Sequence, residues 1–459
     1  EAQYLRSEAT NGTGRSNLKS ETRLIMFEML KNKILSKNAK IGIIGLGYVG
    51  LPLAMAFAEK GFKVWGIDVD NDRVARLKKG QSYILDLMPK DIIALQKMGK
   101  LIVTSDVSRM KHLDAIIICV PTPLLKTKEP DVSFIVSATE LIKKHMKHGQ
   151  VVVLESTTYP GTTEEVMLPI LESTGLKECR DFYLAFSPER IDPGNTKYFV
   201  TNIPKVVGGI SRCSTEIAKI LYEQIIDKVM PVSSSRAAEM TKLLENAFRI
   251  VNIGFIYEMT QMCDKLGLNI WEIIEAAKTK PYGFMPFYPG PSIGRHCIPI
   301  DPLYLSWKAR SLGFETRFIN LASEVNEQMP RYVVEKTIGG LNKAKKALKN
   351  AKILLSGIAY KKDVQDLRES PVFGIIEILN MYEAKVSYYD PYFPYFKIDG
   401  IDLKCVKFDS KTLKSFDCVV VVADHSNVDY QFMAKNSRLI IDTRNALKDV
   451  KNRSNIVRI

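Results

Sequence analysis

Two short stretches of this 459-residue chain hold residue types whose spacing suits them to joint chemistry. The first is Gly45-Leu46-Gly47-Tyr48-Val49-Gly50, followed by a strand-like run Lys63–Ile67 that ends in an acid, Asp68. Three glycines at that spacing allow a tight turn, a close approach of backbone to a pyrophosphate, and close packing of helix on strand. The helix that follows offers free N–H groups and its positive end to phosphate. An acid placed like Asp68 accepts hydrogen bonds from the adenosine ribose hydroxyls, which favours NAD, although Arg73 stands near enough to serve a 2′-phosphate. The second stretch, residues 287–301, sets Cys297 in a loop shaped by Gly and Pro, beside Arg295 and His296. Cationic neighbours favour a thiolate. A thiol that meets a bound aldehyde forms a hemithioacetal; loss of a second hydride gives a thioester, and water then releases an acid. Downstream of a dinucleotide loop, that chemistry converts a primary alcohol to a carboxylate.

The elements that must position these residues are legible as two alternations of strand and helix. Lys40–Ile44, Lys63–Ile67, Ala115–Cys119 and Gln150–Leu154 read as strands separated by helical stretches such as Leu51–Lys60, the pattern of a parallel sheet with crossovers. From Ser233 to about Leu266 the periodicity is helical and free of proline, opening on serines suited to capping. A helix that long, roughly 50 Å, is expected to be a spine between two domains and a dimer surface. Lys280–Pro302, rich in Pro and Gly, is expected to be irregular. A second alternation begins at Ala351, with strands Lys352–Gly357, Lys385–Tyr389, Cys418–Ala423 and Arg438–Asp442 around a helix Pro371–Asn380. The fold class expected is α/β, two Rossmann-like parallel-sheet domains joined by a long central helix. The divisions are 1–38 (a polar tail to residue 20, then a short helix Glu21–Leu35), 39–230 for NAD, 231–335 for the helical part with the cysteine loop, and 336–459.

Composition narrows the class. With 46% hydrophobic and 25% charged residues the chain is globular, and it has no apolar run near the ~20 residues of a membrane span. Nothing before Ile41 reads as a signal peptide, so a cytoplasmic protein without membrane insertion is expected. The net charge of +14 is spread over many segments, and its densest cluster, Leu341–Lys349, reads as a solvated helix face. No nucleic-acid motif accompanies it, and the charge is compatible with anionic substrates. Seven scattered cysteines without a C-x-x-C point to neither a disulfide framework nor a metal site, and most are expected to be buried thiols.

From Ala39 to the C-terminal end the chain resembles the UDP-glucose/GDP-mannose dehydrogenase family. The motifs occur in order: Gly45–Gly50; Val120-Pro121-Thr122-Pro123; Glu155-Ser156-Thr157 leading into Pro160-Gly161-Thr162-Thr163; Ser187-Pro188-Glu189-Arg190 with Pro193-Gly194; residues 239–246; Cys297 and Asp301; and Gly357-Ile358-Ala359-Tyr360-Lys361. The resemblance implies NAD as cofactor, held by the Gly45–Gly50 loop with Asp68, Arg73, Pro121, Thr122 and Thr157. It implies Cys297 as nucleophile and an oxyanion stabilised by Lys242 and Asn246, which lie one helical turn apart. Asp301 and Thr157 would position water, with Glu189 assisting proton transfer. Glu189, Arg190, Lys242, Asn246, Tyr288, Gly294, Lys361 and Arg368 would contact a UDP-sugar, and a homodimer is expected. Residues 281–308 are most similar to the branch that oxidises UDP-N-acetylhexosamines, UDP-N-acetylglucosamine first, with UDP-N-acetylmannosamine and UDP-glucose as alternatives.

The sequence departs from the family pattern at Ser292 and Arg295, where glycines are usual, at Gln365 in place of an acid, and at Tyr257 in the long helix. A side chain at a position needing φ > 0 would strain the loop. Three readings follow: an active four-electron dehydrogenase, an impaired relative that still binds NAD and a nucleotide sugar, and a two-electron β-hydroxyacid-type dehydrogenase. The last explains neither Cys297 nor the second alternation.

Overall fold

The computed structural model describes residues 14–84, 87–125, 127–190, 197–294, 297–398, 400–451 and 453–459. Two compact units divide after Leu244. The division falls inside a helix, Ser235–Leu266, which matches the spine expected from the proline-free periodicity.

The first unit is built on an eight-stranded sheet. Its strands are β1 (Lys40–Ile44), β2 (Lys63–Ile67), β3 (Leu101–Thr104), β4 (Ala115–Ile118), β5 (Gln150–Leu154), β6 (Phe182–Phe186), β7 (Lys205–Gly209) and β8 (Val229–Pro231). They lie in the order β3-β2-β1-β4-β5-β6-β7-β8, all parallel except for the β6–β7 pair. The chain reverses direction across the sheet between β1 and β4, the topological switch point where open α/β sheets bind ligands. Alternate side chains of the buried strands enter two cores. Ile117, Val151, Val153 and Tyr183 face one, and Ile116, Ile118, Val152 and Leu184 the other. Burying each such side chain stabilises by roughly 1.5–3 kcal/mol, which explains the nearly unbroken apolar runs.

The second unit carries β9 (Lys352–Ser356), β10 (Lys385–Tyr389), the hairpin β11 (Tyr395–Ile398) and β12 (Ile401–Lys404), β13 (Cys418–Val421), β14 (Ile440–Asp442) and β15 (Ile456–Arg458). Its five-stranded sheet runs β10-β9-β13-β14-β15, parallel throughout. The fold is thus α/β with two Rossmann-like sheets.

Three local expectations change. The N-terminal helix spans Gly14–Leu35 and takes up part of the expected tail, because extending a nucleated helix demands far less than starting one. The expected irregular stretch ends early: a helix opens at Cys297 and runs to Ser311 with Pro302 inside it. Pro299 falls in its first turn, where N–H groups have no helical partner in any case. Finally, Cys179 and Cys213 form a disulfide with Cα atoms 6.1 Å apart. Their separation of 34 residues hid the pairing; Cys179 precedes β6 and Cys213 lies in the helix Arg212–Tyr222 that packs on it. Cys119, Cys263 and Cys418 are buried thiols as expected.

Candidate active site

In the first unit the glycine loop is shaped for a dinucleotide. Gly45 has φ +89°, and a Cβ there would stand 2.6 Å from the Cys119 carbonyl oxygen. A Cβ at Gly50 would collide with the Gly45 carbonyl, whereas Gly47 faces open space. The helix Gly50–Glu59 has no side chain capping its N-terminus, so its positive end stays open towards a phosphate. Tyr48 is exposed and Val49 stands at the cap position. Asp68, only 4% exposed, accepts from the Leu46 N–H at 2.7 Å and from the Asp70 N–H at 2.9 Å. Arg73 donates to the same carboxylate at 2.9 Å and lies 3.7 Å from Asp70. Its charge is therefore shared with two acids, an arrangement suited to ribose hydroxyls rather than to a further phosphate. Pro121 and Thr122 follow β4, tied to the next strand end by the Ser156 hydroxyl donating to Val120 O at 2.7 Å. These residues fit NAD.

Thr157 follows β5 and is half-buried. The loop after it is held by Glu239, a fully buried carboxylate that accepts from Gly161 N at 2.6 Å, Thr163 N at 2.9 Å and Thr163 Oγ1 at 2.7 Å. Burial outweighs those bonds and raises its carboxyl to about 7. Glu239 precedes Lys242 by one turn on the same helix, and Lys242 is half-buried. Glu189 follows β6 and accepts from the Arg190 N–H at 2.7 Å. The Arg190 guanidinium donates to Pro204 O at 2.7 Å. Lys205, at the start of β7, lies 3.7 Å from Glu189 and 3.1 Å from Glu155. Sequence reasoning assigned Lys205 and Glu239 no role: a single Lys or Glu leaves no mark of its burial in the sequence.

In the second unit Asn246 and Asp301 come together. Both are 5% exposed, and Asn246 Nδ2 donates to Asp301 Oδ2 at 2.6 Å. Asp301 belongs to the first turns of the helix that opens at Cys297. The Cys297 side chain lies outside the described residues, as do Arg295, His296, Pro193 and Gly194. Upstream, Ser292 adopts φ +152°, in the region that favours glycine. The buried Asn326 clamps it: its Oδ1 accepts from Ser292 Oγ at 3.1 Å and from Ile293 N at 2.7 Å. Gly294 fits only as glycine, since a Cβ would meet Tyr360 at 2.7 Å and the Glu369 carbonyl at 2.9 Å. Tyr288 stacks on Trp271 with centroids 6.0 Å apart and donates to Glu275 at 2.7 Å. Arg368 grips Asp366 through Nε and Nη2, at 3.0 and 2.6 Å, while Gln365 donates to Tyr392 O at 3.2 Å. Lys361 follows the Gly357–Tyr360 turn. Tyr257, in place of a family polar residue, is 2% exposed and belongs to the core. A cavity of about 750 Å³ is lined by Tyr288 and Trp271 together with the cations Lys278, Lys362, Arg444 and Lys448 and the acids Glu275 and Asp424. Arg444 was missed from sequence; the structure seats it where a Cβ at Gly290 would strike it, 2.6 Å away.

Family models match three consecutive stretches: the UDP-glucose/GDP-mannose dehydrogenase NAD binding domain at residues 39–226, the central domain at 236–328 and the UDP binding domain at 354–449. The chain belongs to the UDP-glucose/GDP-mannose dehydrogenase family. It is 37% identical to a UDP-N-acetyl-D-glucosamine 6-dehydrogenase of Pseudomonas aeruginosa, over 78% of this chain and 83% of that protein. It is 34% identical to a UDP-N-acetyl-D-mannosamine dehydrogenase of Methanococcus maripaludis, over 89% and 93%. Its fold matches the UDP-N-acetylmannosamine dehydrogenase structure from Pyrococcus horikoshii with a TM-score of 0.83 at 32% identity, over 91% and 98%. As a member of this family the chain is an oxidoreductase that oxidises a UDP-sugar with NAD. Relatives named for the glucosamine sugar and relatives named for the mannosamine sugar both match, so the comparisons support a UDP-sugar dehydrogenase without choosing between the two. Among the described residues no helix is long and apolar enough to cross a membrane, and no cluster of His, Cys, Asp and Glu is arranged to hold a metal.

Proposed function

We propose that the chain oxidises the C6 hydroxymethyl of UDP-N-acetyl-D-mannosamine to the uronic acid by a four-electron reaction through Cys297. The observation that carries the chemistry is the buried bond from Asn246 of the long helix to Asp301, which lies on the helix that begins at Cys297. The choice of sugar is supported by the mannosamine-named relative and by the fold match to a mannosamine dehydrogenase structure. Bound NAD accepts hydride, and two NAD with one water take the alcohol to a carboxylate, two NADH and three protons. Cys297 holds the C6 carbon as thiohemiacetal and then thioester, and its thiol is restored when the C–S bond breaks. Lys242 and Asn246 stabilise the oxyanion, with each lost donor lowering the rate by roughly 100-fold or more. Asp301, which receives the Asn246 amide, and Thr157 orient the water, while Glu189 takes up its proton. Tyr288, Gly294, Arg190, Lys361 and Arg368 contact the UDP-sugar, and Arg444 joins them. The clamp on Ser292 favours an active enzyme over an impaired relative, since the loop keeps its glycine-like path despite the side chain. The exposed Phe248, Phe255 and Met262 support a homodimer through the long helix.

The test is NADH released per sugar, with UDP-N-acetyl-D-mannosamine and UDP-N-acetyl-D-glucosamine side by side, for the protein and for Cys297→Ser. Two NADH per mannosamine sugar, abolished in the variant, are expected. Turnover of the glucosamine sugar alone would establish the second reading, which the P. aeruginosa relative favours. Binding of both ligands without NADH would leave an impaired relative.

A further inference from the structure

Beneath the Ser187–Arg190 loop lies a charged cluster that no role described so far requires. Lys205 is 5% exposed and Glu155 is 1% exposed. The Lys205 ammonium is 3.1 Å from Glu155 Oε1 and 3.7 Å from Glu189 Oε2, and it reaches Pro188 O at 3.5 Å. Tyr222 donates its hydroxyl to the same Glu155 oxygen, and its ring lies 4.9 Å from the ammonium. The other Glu155 oxygen is buried without a hydrogen-bond partner. Among the described residues Cys119 also faces the cluster, its thiol pushed up by burial. Two further bonds stitch the loop to the strand that carries Lys205: Ser187 Oγ to Val206 O at 2.8 Å and Arg190 to Pro204 O at 2.7 Å.

Buried ions are expensive, and a buried pair is a weak source of stability because desolvation offsets the attraction. A lysine shared between two carboxylates, one of them at the active-site loop, therefore calls for a functional reason. We propose that Lys205 is a positioning residue for the reaction: anchored on Glu155 and Tyr222, its ammonium fixes the orientation and charge of Glu189 for proton transfer. This inference rests on the reading of Glu189 given above. Burial opposes the charge on Lys205, but Glu155 and Glu189 outweigh it and keep the lysine above its ordinary value. Burial also raises Glu155; Lys205 pulls against that rise and Glu189 adds to it. The single cation thus divides its field between two acids. Removing the cation leaves the Glu155 and Glu189 carboxylates facing each other uncompensated, and neutralising Glu155 relieves that repulsion.

The test is the pH profile of kcat for NADH formation with whichever of the two N-acetylhexosamine nucleotides turns over, in Lys205→Met, Lys205→Arg, Glu155→Gln and Glu189→Gln. Lys205→Met is expected to lower kcat by about 10-fold or more, with KM for NAD and sugar within about 3-fold, and to move the acidic limb to higher pH. Lys205→Arg should recover most of the rate, and Glu155→Gln should move the limb to lower pH. A folded Lys205→Met with wild-type kcat and limb overturns the proposal. If Lys205→Met does not fold, an unmoved limb in Glu155→Gln overturns it instead. A wild-type rate in Glu189→Gln would defeat the underlying reading of Glu189. Loss of rate there beside an unaffected Lys205→Met would defeat only the positioning role.

Discussion

Gly45 donates its N–H to Ile67 O at 2.9 Å, and Gly357 donates its own to Tyr389 O at 2.8 Å. Leu46 N then meets Asp68 at 2.7 Å, as Ile358 N meets Asp390 at 2.7 Å. At the opposite strand ends, Lys40 N donates to Asp114 at 2.9 Å and Lys352 N to Asp417 at 2.8 Å. The two sheets thus repeat one construction, down to glycines with φ of +89° and +80° whose Cβ would strike the neighbouring strand end. They part after the turn. In the first unit the chain enters its helix at Gly50 with no side-chain cap. In the second it travels ten residues past Tyr360, and the helix at Pro371 is capped by Ser370, which accepts from Val372 N at 3.3 Å. Asp68 shares its carboxylate with a half-exposed arginine, whereas Asp390 is sealed by the fully buried His425. His425 Nδ1 accepts from Asp363 N at 3.0 Å, so its Nε2 carries the proton and donates to Asp390 at 3.1 Å. A shared framework can therefore hold a dinucleotide or exclude one, according to whether the helix end and the strand-end acid stay open.

Gly50→Ala should break the comparison most severely, lowering NAD affinity by about 100-fold or more in calorimetric titration, because the new methyl meets the Gly45 carbonyl. Asp68→Asn should weaken NAD by roughly 10-fold, whereas Asp390→Asn should lower the melting temperature and leave NAD affinity unchanged; equal effects on NAD would refute the distinction. The loops after β5 and β14 offer a finer contrast. Asp442, at the end of β14, holds its own loop by accepting from Arg444, Ala446 and Leu447 N–H groups. Its counterpart in the first unit, Glu239, comes from the long helix instead. The folded value of Glu239 is raised from 4.5 to about 7. Its stabilising contribution is therefore complete below about pH 4.5 and lost as pH rises through about 7. Glu239→Gln should flatten that part of the melting-temperature profile, and an unchanged profile would show that Glu239 does not titrate there. Ser292→Gly should have the smallest effect, a gain of about 1 kcal/mol from relieved backbone strain, seen as a rise of about 2–4 °C in melting temperature.

The strands read from the sequence (β1, β2, β4, β5, β9, β10, β13 and β14) were legible because buried parallel strands must be apolar on both faces, as Ala115–Ile118 and Cys418–Val421 are. The glycine loop and Asp68 were legible because steric and hydrogen-bond demands fall on residues at fixed spacing. Pro-rich composition misled at residues 297–302: Pro299 lies in the first turn, where N–H groups lack partners, and Pro302 is carried inside the helix. The two alternations were read, but the matching bonds at their first strand ends escaped notice because they are backbone bonds that Leu46 and Ile358 make equally well.

By itself, the sequence determined the α/β class, the NAD loop and the ordered motifs that mark the family, because each depends on residue type at short range. Only the tertiary structure decided that Lys205 lies between Glu155 and Glu189, that Asn326 clamps Ser292, and that His425 seals Asp390. These contacts join residues 16 to 50 positions apart, from Glu189–Lys205 to Glu155–Lys205, and their energies come from burial, which no local pattern encodes.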